Sequence, residues 1–207
     1  MLRILGRTTS SNVQKVLWYL DELSLPCQRE DYGGSFGGNR EAAFLQLNPN
    51  GTVPVLIDGD VVIWESNTIL RYLANSQHAT ASYPADPWTR ARCEQWMDWQ
   101  LGTLNPTMTA LYIGLVRTPR EEQNQQELDQ LRQRARQAFS IVDGALADSR
   151  FLVGEQLTLA DICLGMFAYR WFTLPMDRGP QLEHLHGWYQ RLQERPGYRQ
   201  HIMIGLA

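Results

Sequence analysis

The chain of 207 residues is long enough for one large domain or two small ones with real cores, and its 43% hydrophobic and 20% charged residues are those of an ordinary globular protein. A net charge of −3 excludes a general nucleic-acid binder, and no apolar run approaches the length of a membrane span, so neither nucleic acid nor membrane is an expected partner. The three widely spaced cysteines, Cys27, Cys93 and Cys163, form no C-x-x-C pair and exclude a disulfide scaffold; with no signal-peptide pattern at the amino terminus, a reducing, cytoplasmic compartment is expected.

In chain order, residues 2–6 read as a short buried strand. Ser10 or Ser11 then caps a helix running to about Leu23, with Val13, Val16, Leu17 and Leu20 on one face. Leu25-Pro26 ends it, and 27–31 is a second strand. The glycine-rich 33–38 reads as a mobile loop ahead of a short helix over 41–47. Residues 53–57 and 61–64 are strands joined by Asp58-Gly59-Asp60, where Asp-Gly is a hairpin signal. Ser66 starts another amphipathic helix through Ile69, Leu70 and Leu73. A parallel crossover followed by a hairpin predicts a mixed sheet. Residues 77–86, around Pro84, are the expected linker between a domain over 1–76 and an all-helical domain over 87–207. The spacing predicts helices over 88–116, bent or interrupted at Asn105-Pro106, and over 120–147, 158–171 and 181–194. The tail from Gly197 closes the helical domain. The 158–171 segment is nearly all apolar and is expected to be its central buried helix.

Three segments carry candidate chemistry. Ser10 stands where a strand hands over to a helix, so the helix amino terminus favours an anion there, and a serine hydroxyl can donate to a thiolate. A free thiol has a pKa of about 8.5. Hydroxyl donation and the dipole can lower it by one or two units, roughly 1.4–2.7 kcal/mol. Read alone, Ser10 or Ser11 is equally a plain helix cap. In Asn48-Pro49-Asn50-Gly51-Thr52-Val53-Pro54, a cis Pro54 would turn the Val53 N–H and C=O outward to pair with an extended peptide; the alternative is an ordinary strand-edge proline. In Glu65-Ser66, a helix-capping Ser66 suits a ligand carboxylate and Glu65 an ammonium, together an amino-acid headgroup; the alternative is a cap beside an exposed acid. The positive charge is nearly all arginine, Lys15 being the one lysine, which fits carboxylate recognition or a compositional bias. His184 and His186 are two apart, and no metal site is expected.

In this order and spacing the chain resembles the cytosolic glutathione S-transferases over essentially all residues. The Asn-Pro-x-Gly-x-Val-Pro run and the Glu65-Ser66 pair carry the resemblance, with Leu157-Thr158-Leu159-Ala160-Asp161-Ile162, which matches that family's capping box. The stretches 3–23 and 114–119 look most like the bacterial, serine-dependent members. The resemblance implies an α/β thioredoxin-like N-terminal domain plus an all-α C-terminal domain, glutathione as co-substrate, no metal, and a homodimer. It implies Ser10 and Asn12 as the thiol-activating pair, and Arg40, Asn50, Thr52, Val53, Pro54, Glu65 and Ser66 as the glutathione-binding set. The electrophile is expected between the domains under 114–119, with Arg7, Tyr112 and Arg117 as the acceptor residues; two arginines suit a small anion such as a haloacid. This sequence departs from many relatives at Gly51 and Thr52, where a longer side chain holds the glycyl carboxylate, and Arg40 is the candidate replacement. Competing readings are a glutathione-dependent disulfide or peroxide reductase and a non-catalytic binding protein.

Overall fold

The short apolar runs of the first third form one mixed sheet in the computed structural model, which describes residues 1–206. The strands are β1 (Leu2–Leu5), β2 (Cys27–Glu30), β3 (Val55–Asp58) and β4 (Val61–Trp64), in the order β2-β1-β3-β4. β1 runs parallel to β2, with Leu5 opposite Glu30, and antiparallel to β3, with Leu5 opposite Val55. β3 and β4 form the hairpin around Gly59. The third strand starts at Val55, two residues later than the sequence pattern suggests, because Pro54 has no N–H to donate to a ladder and its peptide bond is cis.

Successive strand residues face opposite sides, so both faces need cover. Leu5 and Val55 pack with Phe44 of α2 (Ala42–Leu47), joined by Tyr32, Leu47 and Val53. Ile4 and Leu56, one residue along, turn to the other face and are fully buried. α1 (Ser11–Glu22) and α3 (Ser66–Ser76) pack on each other and bury Val13, Val16, Leu17 and Leu20 of one helix and Ile69, Leu70 and Leu73 of the other. Within the glycine-rich 33–38 segment Gly34–Phe36 is a short 3-10 helix, and the Gly33 N–H donates to the Gly37 carbonyl at 2.7 Å.

The chain divides into two compact units, Met1–Tyr83 with Pro196–Gly205, and Pro84–Arg195. The last helix, Pro196–His201, therefore groups with the sheet unit, where the sequence pattern placed it at the end of the helical domain. Its contacts explain this. Gly197 sits where an added Cβ would lie 3.0 Å from Trp18, the Tyr198 ring meets Trp18 edge-on at 4.9 Å, and His201 Nε2 lies 2.8 Å from Asp21 Oδ2. These partners are far apart in sequence, and no local pattern announces them.

The second unit is built from α4 (Pro87–Trp99), α5 (Asn105–Tyr112), α6 (Gln125–Ala145), α7 (Leu159–Thr173) and α8 (Glu183–Gln193). Between α4 and α5 the helix does not break; it widens into a π turn at Gln100–Leu104. Pro106 has no N–H and its ring crowds the carbonyl one turn back, and the wider turn accommodates it. A second π turn, Ile113–Arg117, ends α5. α7 is buried along Leu159–Ala168, as its apolar sequence predicts. Its start is fixed by Asp161, fully buried: Oδ2 accepts from Thr158 N and Oγ1, and Oδ1 from Leu152 N and Trp188 Nε1. Burial raises the pKa of that carboxyl and the four donated hydrogen bonds hold it back.

Candidate functional site

Three loops of the sheet unit meet where β1 ends. Ser10 is the N-cap of α1 with extended backbone, and its carbonyl accepts from Val13 N and Gln14 N at 2.9 and 2.8 Å. Its hydroxyl makes no capping bond, so the side-chain oxygen takes no part in closing the helix end. Asn12, two residues on, is exposed and accepts a 3.2 Å hydrogen bond from Ser66 Oγ through Oδ1, leaving its Nδ2 as a donor. The amino termini of α1 and α3 are thereby tied side by side, and both helix ends favour negative charge.

Glu65, not Ser66, is the N-cap of α3, and Ser66 is its first helical residue. The sequence pattern placed the cap one residue later. Glu65 holds φ 67° and ψ 111°, a region that costs a non-glycine residue of the order of 1–3 kcal/mol. That backbone leaves the Glu65 side chain exposed while Ser66 and Asn67 turn inward, Ser66 towards Asn12 and Asn67 towards Lys15. Lys15 and Asn67 were not singled out by any sequence pattern; a lone lysine on an otherwise apolar helical face is the only signal that could have found them.

The third loop is shaped by Asn48, which opens the motif but has no role of its own in the sequence pattern. Its side chain accepts from Asn50 N and Nδ2, each at 3.0 Å, and donates to the Thr52 carbonyl at 2.8 Å. Asn48 is 1% exposed, so these bonds form away from water and set the path into the cis Val53-Pro54 bond. Gly6 lets this loop approach β1: a Cβ there would stand 2.5 Å from Val13 Cγ2 and 3.2 Å from Val53 Cβ. Arg40 lies beside the turn, its Nη1 3.4 Å from the Asn50 carbonyl, and Gly51, at φ +62°, makes room for it. Asn39 Nδ2 donates to the Gly51 carbonyl at 2.6 Å. Ser10, Asn12, Arg40, Asn50, Thr52, Val53, Pro54, Glu65 and Ser66 thus all belong to the sheet unit, Arg40 on the turn before α2 and the others around the three loops just described.

The acceptor residues divide between the units. Arg7 belongs to the first, where its side chain lies along Gly33 and Gly34. Tyr112 and Arg117 belong to the second, where the Arg117 guanidinium lies 5.2 Å from the Tyr112 ring centre. Arg170 of α7, which no sequence motif indicated, lies over the same ring at 4.2 Å. A cavity of about 340 Å³ opens under Gly114 and Thr118, but Glu122 and Glu127 line it, which does not suit an anion. Trp96 and Trp99 meet edge-on at 5.3 Å, with Trp96 buried. Burial pushes the Cys93 thiol up to about 12 and raises Cys27 as well, so neither sulfur is poised as a nucleophile. No group of three metal-binding side chains occurs among the described residues, and no helix there is long and apolar enough to cross a membrane.

A four-stranded mixed sheet with a cis-proline loop beside a helix amino terminus, joined in sequence to a helical unit, defines the thioredoxin-like two-domain class. Family models agree: residues 9–76 match the glutathione S-transferase N-terminal domain and 104–196 the C-terminal domain. The chain belongs to the glutathione S-transferase family. It is 39% identical over the full length of both chains to glutathione S-transferase GstB of Escherichia coli strain K12. It is 30% identical to glutathione S-transferase D7 of Drosophila melanogaster, over 80% of this chain and 73% of that one. Among solved structures it is similar to the theta class glutathione S-transferase of Xanthomonas axonopodis pv. citri with glutathione bound, with 42% identity, a TM-score of 0.94 and coverage of 100% of this chain and 99% of that one.

Proposed function

We propose that this protein activates the glutathione thiol at Ser10 and transfers the tripeptide to a small electrophile. The observation that carries the proposal is the uncommitted Ser10 hydroxyl at the amino terminus of α1, beside the Asn12–Ser66 link and the cis Val53-Pro54 bond. In this reading the Val53 main chain pairs with the extended peptide. The α3 amino terminus with Ser66 takes the γ-glutamyl carboxylate, and Glu65 takes the ammonium. Asn50, Thr52 and Arg40 hold the glycyl end. Ser10 Oγ–H and the Asn12 amide donate to the sulfur and favour the thiolate. The thiolate then attacks an electrophilic carbon: a C–S bond forms, the carbon–leaving-group bond breaks, and the leaving group departs with its electron pair. The glutathione domain is assigned to 1–76 and the acceptor domain to 87–195, where Tyr112 and Arg117 receive the electrophile. An arginine fork favours an anionic acceptor, a haloacid among them.

The same proposal places the enzyme in the cytoplasm as a homodimer. Cys27, Cys93 and Cys163 form no disulfide, and the edge strand β4 leaves Val61, Val62 and Trp64 exposed, an apolar set that a second copy would cover. The test is a calorimetric glutathione titration with an ultraviolet thiolate difference spectrum of the same sample. Binding with a thiolate signal at neutral pH is expected. Binding without it would favour a carrier or a disulfide-type reaction, and no binding at millimolar glutathione would overturn the site.

A further inference from the structure

The Tyr112 ring is buried, 3% exposed, and two guanidinium groups lie against it: Arg170 at 4.2 Å and Arg117 at 5.2 Å from its centre. Each is within cation–π range. The two cations are close enough to act on each other: burial lowers the Arg170 pKa most, Tyr112 opposes it, and Arg117 adds a smaller lowering. Arg170 has neither a carboxylate nor a carbonyl partner among the described residues. Arg178, eight residues on, shows what a purely structural arginine looks like here: it donates to the carbonyls of Trp171, Phe172, Leu174 and Met176 and closes the end of α7. A half-buried cation that lacks a counter-ion and sits beside a second cation leaves a strong local positive potential, which an incoming anion relieves.

We propose that Arg170 is a specificity-determining residue, holding the acidic group of a small carboxylate or sulfonate together with Arg117 on the Tyr112 platform. The inference rests on the acceptor reading of Tyr112 and Arg117 above, and adds a residue from α7 and a ligand chemistry. A guanidinium fork pairs with both oxygens of a carboxylate, whereas the neutral amide of the same shape offers only one acceptor. The ring beneath orients the planar fork and excludes water from one side.

The experiment compares iodoacetate with iodoacetamide as acceptors, and separately measures binding of the unreactive pair benzoate and benzamide to the full chain by calorimetry. Arg170→Gln is expected to lower the iodoacetate-to-iodoacetamide ratio of kcat/KM by about tenfold or more and to weaken benzoate but not benzamide. Arg170→Lys, which keeps the charge but not the fork, retains part of the ratio, between wild type and Arg170→Gln, and covers the case in which the glutamine variant does not fold. Arg117→Gln lowers it by a smaller factor. Equal losses on both members of each pair, in both Arg170 variants, would overturn the proposal and leave Arg170 as a packing residue. Failure of glutathione chemistry itself shows as loss of turnover with iodoacetamide in the unaltered protein. In that case benzoate binding still decides the anion site by itself.

Discussion

Lys15 Nζ donates to Asn67 Oδ1 at 2.5 Å, joining α1 to α3 through the one lysine in the chain, which is 1% exposed. The bond lies one turn inside the Asn12–Ser66 contact, so two polar ties hold the helix amino termini at a fixed spacing. A buried ammonium is costly unless its donors are satisfied, and Asn67 supplies one acceptor. Lys15 is therefore a positioning residue behind the candidate glutathione site.

Burial of Lys15 can be read chemically. Native protein treated with an amine-acetylating reagent should be modified at the amino terminus alone, with Lys15 reacting only after denaturation. Mass spectrometry of intact and digested protein reads this directly, and rapid native acetylation of Lys15 would contradict it. Asn67→Ala removes an acceptor from the buried ammonium and should cost about 1–3 kcal/mol in urea unfolding. It should also weaken glutathione binding, because the α3 amino terminus loses its anchor.

Ser10→Ala removes the hydroxyl while leaving the capping carbonyl and the helix intact. Turnover should fall about tenfold or more as the bound thiol pKa rises by one or two units, with glutathione affinity changed only a few-fold. The thiolate absorbance of the complex against pH measures the shift. An unchanged pKa and rate would remove Ser10 from the mechanism and move the role to Asn12.

Gly6→Ala tests the close approach of the cis-proline loop to α1. The added methyl would meet Val13 Cγ2 at 2.5 Å, and Val53 limits escape on the other side. A loss of about 1–3 kcal/mol in stability is expected, as for overpacking elsewhere. Glutathione affinity should drop with it, since the clash separates Val53 from the α1 amino terminus. Full affinity together with a lowered unfolding midpoint would show that the loop relaxes without disturbing the site.

Acid should weaken the sheet edge and the start of α4. Arg3 Nε donates to Glu30 Oε1 at 2.7 Å and holds that carboxyl below the usual range, and Thr89 N does the same for Asp86 at 2.8 Å. A carboxyl held down in the folded protein contributes stability above its unfolded pKa of about 4 and loses it as the pH falls through the folded value. Urea midpoints should therefore decline from about pH 5 to about pH 3. Glu30→Gln should flatten that decline slightly, since the Arg3–Glu30 pair is only part-buried and Asp86 is exposed. An identical decline in the variant would show that Glu30 takes no part in it.

What the sequence determined by itself was local. Apolar spacing set α1, α3 and the buried α7, Asp58-Gly59 set the hairpin, and the Thr158 to Asp161 spacing set the start of α7, because each depends on residues within one or two turns of each other. The motifs around Ser10, Pro54 and Ser66 were legible for the same reason. Tertiary structure decided what depends on distant partners. The Asn12–Ser66 and Lys15–Asn67 ties, the return of Tyr198 to Trp18, and Arg170 over Tyr112 each join residues dozens to well over a hundred positions apart. It also decided that Glu65 rather than Ser66 caps α3, since a positive φ at a glutamate holds only where surrounding packing over-determines it.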